Sequence, residues 1–176
     1  EQVQAIVQYA NAHKLGLVPS GGRTGLSAAA VATNGEIVVA FDLMNKVLDF
    51  NATDRTVRCQ AGVVTEQLQQ FAEDNDLYYP VDFASAGSSQ LGGNISTNAG
   101  GIRTIRWGNA RDLVLGLEVV LPDGRVLNDL RRVRKDNSGY ALRHLFLGGE
   151  GTLGIITAAA LRLVPALKRV ETAFVA

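Results

Sequence analysis

The stretch Ser85-Ala86-Gly87-Ser88-Ser89-Gln90-Leu91-Gly92-Gly93-Asn94-Ile95-Ser96-Thr97-Asn98-Ala99-Gly100-Gly101 restricts the fold more than any other part of the chain. It holds five glycines in seventeen residues and carries no charge. Glycine lets the backbone approach another group closely or take a positive φ, and the surrounding hydroxyls and amides are short hydrogen-bonding groups. Leu91 and Ile95, spaced i, i+4, predict a short helical turn with two apolar anchors, opened by the Ser88/Ser89 region as a cap. Amides at such a helix start favour a phosphate or another anion. Composition leaves two readings open: a ligand loop, or a buried tight crossing of the chain.

With 176 residues, the chain is one domain or two small subdomains, long enough to bury a core. Seventeen basic residues balance seventeen acidic ones, so charge offers no case for nucleic acid or for an anionic membrane. The run Arg131-Arg132-Val133-Arg134-Lys135 is short, is followed at once by Asp136, and reads as a solvated loop. Cys59 is alone, which excludes an intramolecular disulfide and a cysteine-based zinc site. His13 and His144 lie far apart, each without a ligand-spaced neighbour, so no metal site is expected. No apolar run reaches the length of a membrane span and no signal peptide is visible; a cytoplasmic location is expected. Asn51-Ala52-Thr53 and Asn94-Ile95-Ser96 match the glycosylation pattern, by chance in the absence of a secretory signal.

In chain order, Val3, Ile6, Val7 and Ala10 repeat at helical spacing over residues 1–14 with no cap before them. The natural protein is therefore expected to start earlier. Gly16 is the predicted stop, and Leu17-Val18-Pro19 a short strand. The loop Ser20-Gly21-Gly22-Arg23-Thr24-Gly25-Leu26-Ser27 follows, a second candidate anion cradle beside the reading as a flexible surface loop. No Gly-Lys-Ser/Thr follows it, which excludes a Walker loop. Strands are predicted at 37–41, 47–50 and 56–60, with Asn51-Ala52-Thr53-Asp54 turning between the last two. An amphipathic helix is predicted over 64–75, capped by Thr65 or its neighbour, with Leu68, Phe71 and Ala72 inward. A long strand over 113–121 turns through Pro122-Asp123-Gly124 into Arg125-Val126-Leu127. A short helix or turn is expected at 142–147, a strand over 153–164 ended by Pro165, and another strand over 169–175.

Gly149-Glu150-Gly151-Thr152-Leu153-Gly154 matches G-x-G-x-x-G literally. The dinucleotide fold needs that pattern to open a helix after a strand, whereas Ile155-Ile156-Thr157 follows here. Its glycines read instead as letting a strand pass close to a ring or another backbone.

Four segments together resemble the flavin-binding domain of the vanillyl-alcohol oxidase / p-cresol methylhydroxylase superfamily. They are Pro19-Ser20-Gly21-Gly22-Arg23-Thr24-Gly25-Leu26, the run from Gly92 to Gly101, Gly116-Leu117-Glu118-Val119-Val120-Leu121-Pro122-Asp123-Gly124, and Gly149-Glu150-Gly151-Thr152-Leu153-Gly154-Ile155-Ile156-Thr157. Arg134-Lys135-Asp136-Asn137-Ser138-Gly139-Tyr140 looks like the branch of D-2-hydroxyacid dehydrogenases, closest to the D-2-hydroxyglutarate enzymes, with the D-lactate and glycolate enzymes nearby.

The resemblance implies an α+β fold: a two-lobed FAD-binding domain of p-cresol methylhydroxylase type. A small βα lobe (1–77) would face a larger, mainly antiparallel sheet with flanking helices (78–176). It implies FAD held without a covalent bond, because neither His13 nor Cys59 falls in a flavin-contacting motif. The pyrophosphate role carries over to Pro19, Gly21, Gly22, Arg23, Thr24 and Gly25. The second glycine segment, running along flavin and diphosphate, points to Pro80, Ser88, Gly92, Gly93, Thr97, Asn98 and Gly101. Glu150, Gly154 and Ile155 fall on the adenosine and ribose side, where Glu150 suits ribose hydroxyls.

Members of the superfamily continue into a larger substrate domain with the acid-binding arginine, the catalytic histidine and, in several branches, a metal site. None of that matches here, so no catalytic residue is assigned and the chain is expected to be a fragment, inactive alone. The implied activity is oxidation of a D-2-hydroxyacid to the 2-oxoacid, the substrate held by the domain this chain lacks. A protein or quinone would accept the electrons, and a homodimer is compatible. Two alternatives stay open: an oxidase or reductase of the same superfamily acting on another alcohol or sugar, and a non-catalytic nucleotide-binding module.

Overall fold

In the computed structural model, which describes residues 1–174, the apolar face of the first segment forms α1 (Gln2–His13). Val3 and Val7 pack with Val39, Phe41, Ala61, Val120 and Ile155 in the smaller of two apolar clusters. The helix stops at Lys14 rather than at Gly16. Lys14 takes a left-handed φ of 55°, and the Leu15 amide donates to the Ala10 carbonyl at 2.9 Å, a closure that uses up an otherwise orphaned helix carbonyl.

β1 (Leu17–Ser20) pairs parallel with β2 (Ile37–Ala40) across the long loop that joins them. β3 (Val47–Asn51) and β4 (Thr56–Gln60) form a hairpin whose turn is held by the Asp54 amide donating to Asn51 Oδ1 at 2.8 Å. There follow α2 (Thr65–Glu73), β5 (Leu77–Tyr78), α3 (Leu91–Ser96), α4 (Thr104–Trp107), α5 (Ala110–Leu113), β6 (Val114–Val120), β7 (Val126–Asp129), α6 (Arg143–Phe146), β8 (Ile155–Arg162) and β9 (Val164–Pro165). No helix among the described residues is long and apolar enough to cross a membrane.

Five strands make one antiparallel sheet in the order β3-β4-β8-β6-β7. β8 lies at its middle and is buried from Ile155 to Leu161, so it reads as a continuous apolar run instead of an alternating one. α3 lies against it. The main cluster gathers Leu68 from α2, Leu91 and Ile95 from α3, and Leu113, Leu117 and Leu161 around the sheet. The sheet draws strands from both ends of the chain: β4 pairs with β8, with Cys59 opposite Ala159.

Several local expectations are corrected. The cap residue of α2 is Val64, the neighbour of Thr65; Thr65 itself is buried, and its hydroxyl lies 2.8 Å from Ser89 Oγ while accepting from Asn94 Nδ2 at 2.5 Å. Gln90, not Ser88 or Ser89, precedes α3 as its cap residue. Residues 110–113 are helical where the long strand was to begin, because the Asp112 carboxylate reaches back to the Asn109 amide at 2.8 Å. The strand read over 153–164 breaks at Leu163, and Pro165 lies within β9, opposite Leu77, in a two-stranded pair where a missing N–H is tolerated. Residues 169–174 form no strand, and Val175 lies outside the described residues. The basic run at 131–135 is a loop strapped to the sheet edge: Arg132 pairs with Asp49 at 2.8 Å and Arg134 donates to the Asp54 carbonyl at 2.9 Å.

Two buried side chains in the main cluster have no polar use. Burial pushes the Cys59 thiol up to about 12, which leaves it inert as a nucleophile. Tyr79 is fully buried and its hydroxyl meets no partner among the described residues. A buried hydroxyl without a hydrogen bond costs about 1–3 kcal/mol. Tyr79→Phe is therefore expected to stabilise the protein, by about 1 kcal/mol, read as a higher denaturation midpoint. An unchanged or lower midpoint would mean that the hydroxyl is satisfied after all.

Candidate functional site

Three glycine segments distant in sequence meet at one cleft of about 500 Å³, within the roughly 300–1,000 Å³ of small-molecule sites. The first leaves β1, whose parallel pairing with β2 aims the chain into the loop. Gly22 crosses the 85–89 segment so closely that a Cβ there would stand 2.1 Å from the Ser88 carbonyl oxygen. Gly21 lies beside Gln90 and Gly93. Arg23, Thr24 and Gly25 complete this wall, and Arg23 holds a left-handed φ of 55°.

The second wall is α3. Its Leu91 and Gly92 amides donate to the carbonyls of Val63 and Ala61 at 2.9 and 2.7 Å, which docks the helix start on the turn after β4. Thr65, Ser89 and Asn94 tie it to α2 from below through the buried hydrogen bonds given above. Gly92 can approach Ala61 because it lacks a side chain, whereas nothing lies within 4 Å of a Cβ built on Gly93. The absence of that Cβ keeps the cleft open. Thr97 also lines it, with its hydroxyl donating to the Gly93 carbonyl at 3.0 Å.

The third wall is the turn after α6. The Glu150 amide donates to the Ser96 carbonyl at 2.9 Å, and Glu150 takes a φ of 50°. Gly154, at φ 158°, would put a Cβ 2.7 Å from Val119 Cγ1. The glycine thus lets the chain enter β8 tight against β6, a backbone crossing and no dinucleotide fingerprint. Ile155 follows on the lining. Arg23 and Glu150 are the two charged residues on the cleft, one of each sign.

Twelve predicted site residues therefore share the cleft: Pro19, the five of residues 21–25, Gly92, Gly93, Thr97, Glu150, Gly154 and Ile155. Four lie outside its lining. Pro80 is buried. Ser88 presents its carbonyl to the back of Gly22. Asn98 accepts the Arg111 amide at 2.9 Å through Oδ1. Gly101, at φ 135°, passes the Asp82 carbonyl where a Cβ would sit 2.0 Å away. Sequence reasoning missed Gln90, Phe41, Ala61 and the small residues 28–30, all on the lining. Gln90 was detectable as the one long amide in a run of small residues; the others carry no local signal.

The arrangement fits a dinucleotide such as FAD on two observations. The glycine positions 21 and 93 leave room where side chains would intrude. Gln90 Oε1 is a buried acceptor without a protein partner among the described residues, on a residue that lines the cleft. A ligand with both phosphates and hydroxyls uses such a set.

The comparisons agree. A D-2-hydroxyglutarate dehydrogenase of Stutzerimonas stutzeri (strain A1501) is 66% identical over 163 residues, covering 93% of this chain and 35% of that protein. The mitochondrial D-2-hydroxyglutarate dehydrogenase of Danio rerio is 47% identical over 174 residues, covering 99% of this chain and 33% of that protein. An alkyldihydroxyacetonephosphate synthase structure superposes with a TM-score of 0.83 at 28% identity, over 96% of this chain and 33% of that one. The chain thus spans about a third of the length of the relatives it matches. The family model for the FAD binding domain matches residues 1–129, and with three of its glycine segments closing on one cleft, this chain belongs to that FAD-binding family.

Proposed function

We propose that the chain is the FAD-holding part of a dehydrogenase that oxidises a D-2-hydroxyacid to the 2-oxoacid, with two lobes, 1–77 and 78–176, on either side of the cofactor. The convergence of residues 21–25, 92–97 and 150–155 on one cleft carries this reading. The names of the relatives supply the substrate class. Bound flavin supplies a two-electron acceptor for the substrate hydride. The chain's own residues bind and orient it: amides of 21–25 toward the diphosphate, Gly93 and Thr97 along its length, Glu150 toward ribose hydroxyls. The substrate and the final electron acceptor meet residues outside this chain.

The flavin is held without a covalent bond on this reading, since His13, His144 and Cys59 are all absent from the lining. Acid denaturation of the whole yellow protein is expected to release all its FAD into the filtrate; flavin that stays with the polypeptide would reverse that. Anaerobic addition of D-2-hydroxyglutarate is expected to bleach the flavin. Silence with D-2-hydroxyglutarate, D-lactate and glycolate alike would favour the second reading, another chemistry on the same fold, to which the synthase neighbour lends support.

A further inference from the structure

Gln90 lines the cleft yet is 5% exposed, and its amide is held one way round. Nε2 donates to Asp42 Oδ1 at 3.2 Å. A carboxylate accepts and does not donate, so turning the amide over would set two acceptors against each other. The contact therefore fixes which way round the amide lies. Oε1 is left buried and without a partner. It is open because its neighbour is Gly21: a Cβ built there would stand 3.4 Å from Oε1. The backbone is pinned as well, since the Gln90 carbonyl accepts the Asn94 amide at 3.0 Å and the residue bridges to Val64.

A buried acceptor kept unsatisfied is costly, and this one belongs to a residue on the lining of a ligand site, beside Gly21. A diphosphate has no proton to offer at neutral pH, so the loop's own anion cannot satisfy it. What it requires is a hydrogen-bond donor, and the donors of a dinucleotide nearest its diphosphate are sugar hydroxyls. We propose that Gln90 Oε1 accepts a hydrogen bond from a sugar hydroxyl of the bound dinucleotide next to the diphosphate, on the ribityl or the ribose side, making Gln90 a cofactor-positioning residue. The inference rests on the reading of residues 21–25 as the diphosphate loop.

Gln90→Met keeps length and volume but removes the acceptor. Flavin-stripped whole protein, wild type and Gln90→Met, is titrated with FAD by flavin fluorescence, and with FMN, ADP and lumiflavin as competitors. The expected result is a roughly tenfold loss in FAD affinity, with a fall in the melting temperature of the flavin-free form no larger than that of Asp42→Ala, which removes the same Nε2 contact while keeping the acceptor. A loss shared with FMN puts the hydroxyl on the ribityl chain, and one shared with ADP puts it on the ribose; both support the proposal. Equal FAD affinity in the two proteins overturns it. So does a loss shared by lumiflavin, which has no sugar, or a larger fall in the melting temperature of the flavin-free variant with all four ligands weakened alike. Wild-type protein that refuses FAD would overturn the cofactor reading itself, a result distinct from any difference between variants.

Discussion

Gly22→Ala is expected to give a folded protein that no longer retains flavin. The added methyl would stand 2.1 Å from the Ser88 carbonyl oxygen and 2.8 Å from Ser89 Cα. Both obstacles are backbone, and that backbone is held: the Ser88 and Ser89 amides donate to the Ser85 carbonyl, and the Ser89 carbonyl accepts the Thr65 amide at 2.9 Å. The exposed loop yields first, and its amides leave the cleft. Overpacking of this kind costs about 1–3 kcal/mol, charged here against the bound state. FAD affinity is expected to fall about a hundredfold, roughly 2.8 kcal/mol, in a fluorescence titration. Gly25→Ala, where nothing lies within 4 Å of the new methyl, is the matched control and should bind within a few-fold of wild type. Equal binding by both variants would remove the 21–25 loop from the site.

The second large effect concerns stability. Leu117 is 0% exposed on β6, opposite Ala159 on the central strand and Asp129 on β7. Its neighbours along β8 are the alanines 158–160, too small to swing into a void. Leu117→Ala is expected to cost about 2–5 kcal/mol, a large share of the roughly 5–15 kcal/mol that holds a domain together. Urea denaturation reads it as a sharply lower midpoint at an unchanged slope. Val126→Ala, on the same sheet but 42% exposed at its edge strand, should stay within about 0.5 kcal/mol. A cost below about 1 kcal/mol for Leu117→Ala would mean that the core closes over the gap.

What the sequence made legible was what nearest neighbours decide. The Pro122-Asp123-Gly124 turn needs a positive φ at its glycine, and Gly124 has one, 84°. Likewise Leu91 and Ile95 announced a helical turn and are both buried. The strand order was hidden, because β4 meets β8 across about a hundred residues of chain. Thr65 has the look of a helix cap, but Ser89 and Asn94, brought from a distant segment, take its hydroxyl. In the site, the glycines could be read because the backbone alone gives them their work. Gln90 stood out only as the one long amide among small residues, and its meaning depends on Asp42, 48 positions away.

The central place of β8 has a consequence for how the polypeptide comes into being. Its partners β4 and β6 are both synthesised well before it, and neither pairs with the other. During translation the growing chain therefore carries two raw strand edges, of the kind that invite pairing with foreign chains, until residues 155–162 emerge to fill the slot between them. The same delay holds back the cleft, whose last wall immediately precedes that strand. The cleft is complete only once residues 150–156 join the other two walls, so a flavin that needs all three is expected to load after β8 has paired.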